Sequence, residues 1–165
     1  MPNRLPYFIL LGSTALWCIG FYIAPFITNA QTASLFYTAY TGVCHQLPDH
    51  SFHIHGSILA VCIRCTALYT AFLAGIIMFP LLRTYNFSFT THRYYIILLA
   101  VPMIVDVVAS WITGYSSTTI SRAVSGGMFG FGAALLLVPL FLEAVHQFVS
   151  PRSKYSLFNK YGGSV

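Results

Sequence analysis

Four long apolar segments dominate this sequence and constrain its fold more than any other feature. They comprise residues 7–27, 57–82, 94–113 and 123–146, separated by shorter polar stretches. A helix needs about 20 predominantly apolar residues to cross the hydrocarbon core of a bilayer, and each segment has that length. Only 7% of the residues are charged, against roughly 25% in soluble domains. The sequence therefore predicts an all-α protein, a single membrane domain over residues 1–165 built as a four-helix transmembrane bundle.

The distribution of basic residues predicts the orientation of this bundle, because lysine and arginine in short loops stay in the cytoplasm. The loop 28–56 contains neither residue type. Six basic residues lie at the other ends of the predicted helices: Arg4, Arg83, Arg93, Arg152, Lys154 and Lys160. Both termini are therefore predicted to be cytoplasmic and the loop 28–56 extracytoplasmic, in a multi-pass protein of the inner cell membrane. The net charge of +5 is then a topology signal, with the lipid bilayer as partner and no support for nucleic-acid binding.

The first apolar segment has an alternative interpretation as a signal peptide, because Thr28-Asn29-Ala30 resembles a cleavage site. Its 21 residues, however, exceed the roughly 7–15 of a secretory apolar region. We therefore expect it to remain as a helix. Residues 29–40 are predicted to form a short interfacial helix after it.

Three of the four cysteines fall in one stretch, VCHQLPDHSFHIHGSILAVCIRC, at residues 43–65. Thiols outside the cytoplasm become disulfides unless a metal or a partner holds them. Cys62 and Cys65 are predicted to share one face of the second helix at i, i+3 spacing, with Cys44 folding over them from the loop. Cys18, in the middle of the first helix, is predicted to be a buried small apolar residue.

A second group of polar residues is expected at a similar depth. Arg64 and Asp106 each lie about 12 Å below the outer end of a predicted helix. Because a charge in the hydrocarbon is costly unless it is paired, we predict an ion pair between them, with Arg122 entering from the fourth helix. Asp106, Ser110 and Thr113 form one polar stripe. This network either joins the helices or supports a site beside the cysteines.

The stretches CHQLPDHSF and VCIRCTALYTAFLAG resemble the hallmark motifs of the domain of unknown function 2085 family, small prokaryotic membrane proteins. The matching residues are Cys44, His45, Gln46, Pro48, Ser51, Phe52, Gly56, Cys62, Arg64, Cys65, Tyr69, Gly75, Pro102 and Asp106. His50 and Val107 depart from the pattern, which has Arg and Gly there. The resemblance covers residues from about 40 to about 135. It implies a multi-pass membrane fold and a site but no activity, because that family is functionally uncharacterised.

Metal binding is the first hypothesis for the cysteines. A Cys-x-x-Cys pair with two further nitrogen or sulfur ligands is typical of a tetrahedral zinc site. The predicted ligands are Cys44, His45, Cys62 and Cys65, with His50, His53 or His55 as substitutes for His45. Thiolates also suit Cu(I) or iron. A structural clamp between the loop and the second helix is favoured over a catalytic centre, and no catalytic residue is assigned.

Two other hypotheses remain open. The first is a thiol oxidoreductase that exchanges electrons with quinone, because disulfide-generating membrane enzymes have a similar layout of four helices with outer cysteines. Those enzymes use two cysteine pairs, whereas this loop has one cysteine. The second is a non-catalytic subunit that associates with other membrane subunits or with itself. Its contacts would use small-residue helix faces: Ala67, Ala71 and Gly75, and Gly126 and Gly130.

Overall fold

The computed structural model of the chain describes residues 5–54, 56–84, 94, 98–113 and 117–149. Within these residues, five helices and one two-stranded sheet follow in the order α1 (Leu5–Ile23), α2 (Ala30–Thr41), β1 (Ser51–Ile54), β2 (Ser57–Cys62), α3 (Ile63–Thr84), α4 (Val101–Thr113) and α5 (Thr119–Val149). Two short 3-10 turns, Ala24–Phe26 and Pro48–His50, precede α2 and β1. The chain is therefore mostly helical, with a small sheet between α2 and α3.

Three described helical stretches are long and apolar enough to cross a membrane: Leu5–Phe26, Ile63–Leu82 and Thr119–Phe148. They correspond to the first, second and fourth of the predicted spans. A shorter apolar helix, Val101–Ile112, falls within the third predicted span, 94–113, part of which lies outside the described residues. Three candidate spans are thus present among the described residues, and a bundle of four is not established by them.

The sheet corrects the prediction of an all-α chain and of a helix that begins near residue 57. Residues Ser57–Cys62 form β2, which pairs antiparallel with β1 through Ser51↔Cys62, His53↔Ile58 and Ile54↔Ser57. An apolar run of six residues is compatible with a buried strand as well as with a helix, so its hydropathy alone could not distinguish them. Gly56, with a φ of 82°, supplies the left-handed conformation that turns the chain between the strands.

Residues of β2 form the centre of the core at this end of the molecule. Leu59, Ala60 and Val61 are almost completely buried. The remaining buried members of this core come from α1, the turn that follows it, α2 and the next turn: Cys18, Phe21, Ala24, Tyr40 and Cys44. A second core joins α3 and α5 at the other end, with Ile76, Phe79, Ala134 and Val138 buried. The strand is therefore packed against α1 and α2.

Close backbone contact joins α3 to α5. A Cβ at Gly126 would collide with the carbonyl oxygen of Arg64, and one at Gly130 with the carbonyl oxygen of Leu68. Only glycine permits this approach. Gly126 and Gly130, predicted as part of a contact surface for other subunits, therefore pack against α3 of the same chain.

Replacing Gly130 by alanine should destabilise the protein by about 1–3 kcal/mol, because the added methyl group must push α5 away from the backbone of α3. Gly12→Ala is the matched control, since nothing lies within 4 Å of a Cβ at Gly12 in α1. Thermal unfolding of both purified variants in one detergent measures the difference. Equal midpoints for the two would contradict the close contact.

Candidate metal centre

Three thiols meet where α2, β2 and α3 come together. Cys44 lies in the turn after α2, Cys62 is the last residue of β2, and Cys65 is in the first turn of α3. Their sulfur atoms all lie within 4.8 Å of one another, and none of the four cysteines is in a disulfide. Within the described residues, this is the one cluster of three or more side chains suited to hold a metal ion.

The two cysteines of the Cys-x-x-Cys pair occupy a junction between a strand and a helix. The prediction placed both on one face of a regular helix, but α3 begins at Ile63, one residue after Cys62. The change from extended to helical backbone brings Cys62 and Cys65 to the same side, facing Cys44. A turn of this kind is a more favourable setting for a Cys-x-x-Cys metal site than a continuous helix.

Backbone groups donate to the sulfur of Cys44. The N–H of Cys62 donates to Cys44 Sγ at 3.1 Å and the N–H of Gln46 at 3.5 Å. The Cys62 and Cys65 thiols, together with these N–H groups, hold the pKa of the Cys44 thiol well below its usual range, against the opposing effect of burial. Cys44 is therefore set up as a thiolate, the form that binds metals.

Gln46 fixes the turn that carries Cys44. Its side-chain amide donates to the carbonyl oxygen of Tyr37 at 2.7 Å and to that of Ala60 at 2.8 Å, so it connects α2 with β2. Its backbone has a φ of 50°, uncommon for a residue with a Cβ. Sequence reasoning assigned Gln46 no role, although it is part of the CHQ motif. The CHQ motif was the feature of the sequence that could have pointed to a role for Gln46.

Gln46→Leu should lower the free energy of unfolding by about 1–3 kcal/mol for each carbonyl that loses its donor, because leucine keeps the bulk but cannot hydrogen-bond. Gln31→Leu is the control, since Gln31 is exposed on α2. Both effects can be read from thermal unfolding in detergent. A loss no larger than that of the control would show that the two bonds do not hold the turn.

No histidine of the described residues belongs to the sulfur cluster. His45, the predicted fourth ligand, is exposed and is not part of the cluster. Cys44, the residue before it, is buried. His50 is half-buried and His53 exposed, while His55 lies outside the described residues. The described chain thus supplies three sulfur ligands and no clustered fourth ligand.

Cys18 is buried, as predicted, and is also outside the cluster. Its thiol donates to the carbonyl oxygen of Tyr69 at 3.6 Å. Aromatic rings surround this part of α1: the ring of Trp17 lies 4.7 Å from that of Tyr40 and 5.9 Å from that of Tyr69. Cys18 therefore belongs to the packing beneath the thiols.

Arg64 projects to the other side of the junction, toward α4 and α5. Its guanidinium donates to Asp106 Oδ2, and the two side chains form an ion pair. Arg64, Asp106 and Arg122 are called the charged layer below. Ser121 Oγ donates to Asp106 Oδ1 at 2.7 Å, so both carboxylate oxygens have partners. Arg122, which is buried, donates from Nε to Ser117 Oγ at 2.8 Å. The serines were not predicted, because single hydroxyls in apolar sequence carry no distinctive pattern.

The predicted polar stripe on α4 is only partly directed at this layer. Ser110 donates to the carbonyl oxygen of Val107 within its own helix, at 2.8 Å. The side chain of Thr113 lies outside the described residues. Of the stripe, Asp106 is the residue that reaches α3 and α5.

Comparison with known proteins relates the chain to a family of membrane proteins. The family described as a predicted membrane protein (DUF2085) matches residues 44–136, more than half of the chain, and the match includes all three clustered cysteines, Arg64, Asp106 and Arg122. The uncharacterized protein MJ1492 of Methanocaldococcus jannaschii is 30% identical over 149 residues, which cover 86% of this chain and 96% of that protein. No solved structure matches the chain. The chain belongs to the DUF2085 family of membrane proteins.

Proposed function

We propose that this membrane protein binds one thiophilic metal ion, most simply Zn(II), through Cys44, Cys62 and Cys65. The observation that supports this function best is the convergence of three sulfur atoms within 4.8 Å from three separate elements. Thiolates are preferred ligands of zinc, Cu(I) and iron, and a zinc ion is usually held by four ligands. The fourth position is then filled from outside the sulfur cluster, either by His45 after movement of its side chain or by a ligand from solution.

The proposed role of the metal is structural. It would join the turn after α2 to the junction of β2 and α3, segments that are 18 residues apart between Cys44 and Cys62. Gln46 and the backbone N–H groups on Cys44 Sγ already hold the same segments together, so they would support the ligands in the way that hydrogen bonds support other metal sites. The site would stabilise the fold or hand metal on, and we assign it no reaction.

Elemental analysis of the detergent-purified protein, combined with a count of free thiols in the same sample, tests this proposal. We expect about one metal ion per chain and thiols that react only after chelation or unfolding, because bound thiolates are protected. Negligible metal together with four freely reactive thiols would contradict metal binding.

The same measurement separates metal binding from thiol–quinone redox chemistry, the second candidate. The close approach of Cys44, Cys62 and Cys65 is the observation that favours it, since any two could form a disulfide after a small shift. Such enzymes use a second cysteine pair, whereas the remaining cysteine of this chain, Cys18, lies outside the sulfur cluster. Two oxidised thiols without metal would support this alternative.

We further propose that the cysteine site faces the extracytoplasmic side and that both termini are cytoplasmic, from the basic residues at the opposite ends of the helices. A cysteine introduced at the exposed Thr32 of α2 should then react with an impermeant maleimide in intact cells, on a background in which the native cysteines stay unlabelled. Labelling of Thr32→Cys only after the membrane is opened would reverse this orientation.

A further inference from the structure

In the charged layer, beside the junction of β2 and α3, the positive side chains outnumber the negative ones. The entire sequence holds three acidic residues, Asp49, Asp106 and Glu143. Asp106 is the one at the layer, where it faces two arginines, Arg64 and Arg122. One guanidinium charge is therefore left without a carboxylate, and the sequence contains no further acidic side chain that could neutralise it.

Neither of the other two carboxylates reaches Arg122. Glu143 follows it on α5 by 21 residues, about 31 Å along a helix. Asp49 is exposed in the turn before β1, and among the described residues no salt bridge joins it to an arginine. Asp106 itself has both oxygens occupied, by Arg64 and by Ser121. Arg122 is thus left with Ser117 as its side-chain partner in the described part of the chain.

Burial makes this imbalance costly. Arg122 is only 8% exposed, and the Arg64 and Asp106 side chains are 22% and 10% exposed. The Nε atom of Arg64 is buried without a hydrogen-bond partner in the described residues. A buried charge without a counter-ion costs several kcal/mol, so such groups are ordinarily paired or bind a ligand of opposite charge.

The surroundings suit an oxyanion. Arg122 lies in the first turn of α5, where the helix dipole favours a negative charge. Gly126, one turn further along α5, lies against the carbonyl and Cγ atoms of Arg64, so both arginines border the same interface. Guanidinium groups match the oxygens of phosphate in a bidentate manner.

We propose that Arg122 and Arg64, beside the start of α5, form a binding site for one phosphate-type oxyanion. The candidate span Thr119–Phe148 begins three residues before Arg122, so the two arginines lie near one end of that span. The phosphate of a lipid and free inorganic phosphate share the chemistry that the arginines recognise. This site is independent of the metal proposed for the cysteines, and its failure would leave that proposal unaffected.

Titration of the full-length, delipidated protein with inorganic phosphate, at constant ionic strength maintained with sodium chloride, tests the site. We expect one phosphate per chain and a rise in the unfolding temperature with phosphate. Arg122→Gln should weaken binding by about 10- to 100-fold, the range for loss of hydrogen bonds to a charged group. Ser125→Ala, a buried but uncharged change in the next turn of α5, should leave the affinity within about twofold.

A second variant, which removes a negative charge instead of a positive one, tests the site even if Arg122→Gln does not fold. Asp106→Asn removes the competing carboxylate, so phosphate should bind more tightly to it than to the wild type. An unchanged affinity in both Arg122→Gln and Asp106→Asn, or a wild-type response to phosphate no larger than to chloride, would overturn the proposal.

Competition with a short-chain phosphatidate distinguishes the two sources of phosphate, with diacylglycerol of the same chain length as the uncharged control. Displacement of phosphate by micromolar phosphatidate but not by diacylglycerol supports a lipid headgroup at this site. Binding of phosphate that phosphatidate does not displace supports a free anion. Displacement by diacylglycerol would show that the arginines do not determine binding, and would refute the site.

Discussion

Replacing any one of Cys44, Cys62 and Cys65 by serine should remove nearly all of the bound metal. Their sulfur atoms form one cluster, so each change leaves two thiolates that must hold the ion. Loss of a group that merely supports a ligand costs about 10- to 100-fold in metal affinity, and loss of a direct ligand should cost more. Metal content of each purified variant, measured after dialysis against a weak chelator, gives the result.

Cys18→Ser is the matched control, because Cys18 is buried in the same core but outside the sulfur cluster. It should retain the wild-type metal content. Affinity in the wild type should also fall as the pH falls, since protons compete with the metal for the thiolates. Full metal content in Cys62→Ser or Cys65→Ser would show that the ion binds elsewhere.

Asp106→Ala should destabilise the protein by about 3–5 kcal/mol, the cost of removing one partner from a buried ion pair. The change leaves Arg64 and Arg122 without a carboxylate and deprives Ser121 of its acceptor. Thermal unfolding in detergent measures the loss. Glu143→Ala is the control, since Glu143 is an exposed carboxylate on α5 and its removal should change stability by about 0.5 kcal/mol or less.

The double variant Arg64→Met with Asp106→Leu tests whether the two residues act as a pair. It removes both charges and keeps side-chain bulk, so it should recover much of the stability lost in Asp106→Ala. If its loss instead equals the sum of the two single losses, Arg64 and Asp106 are not energetic partners.

The helices were the most predictable part of this chain. Long apolar runs have few alternatives in a bilayer, and α1, α3 and α5 lie where such runs occur. The short helix predicted at residues 29–40 is also present as α2, which begins after Asn29 with two N–H groups donating to its side-chain oxygen. β2 was not predictable in the same way, because Leu59, Ala60 and Val61 suit a buried strand and a spanning helix equally.

The cysteine cluster was predicted in part. The shared stretch of sequence and the motif resemblance pointed to Cys44, Cys62 and Cys65, and the structure brings them together. The position of His45 depended on the direction of one side chain in the loop after α2, which spacing does not determine. The role of Gln46 could not be predicted from the sequence, because its side chain donates to two backbone carbonyl groups and every residue carries such a group.

The burial of β2 beneath α1 and α2 has a consequence for the order in which the protein is made. A two-stranded hairpin is at best marginally stable by itself in water. The residues of α1 and α2 that cover β2 leave the ribosome before the hairpin does, so the surface on which it folds is already synthesised. The helix α5, which packs against the rest of α3, emerges last. We therefore expect the thiol-bearing end to fold during synthesis and the α3–α5 end to form only when translation is nearly complete.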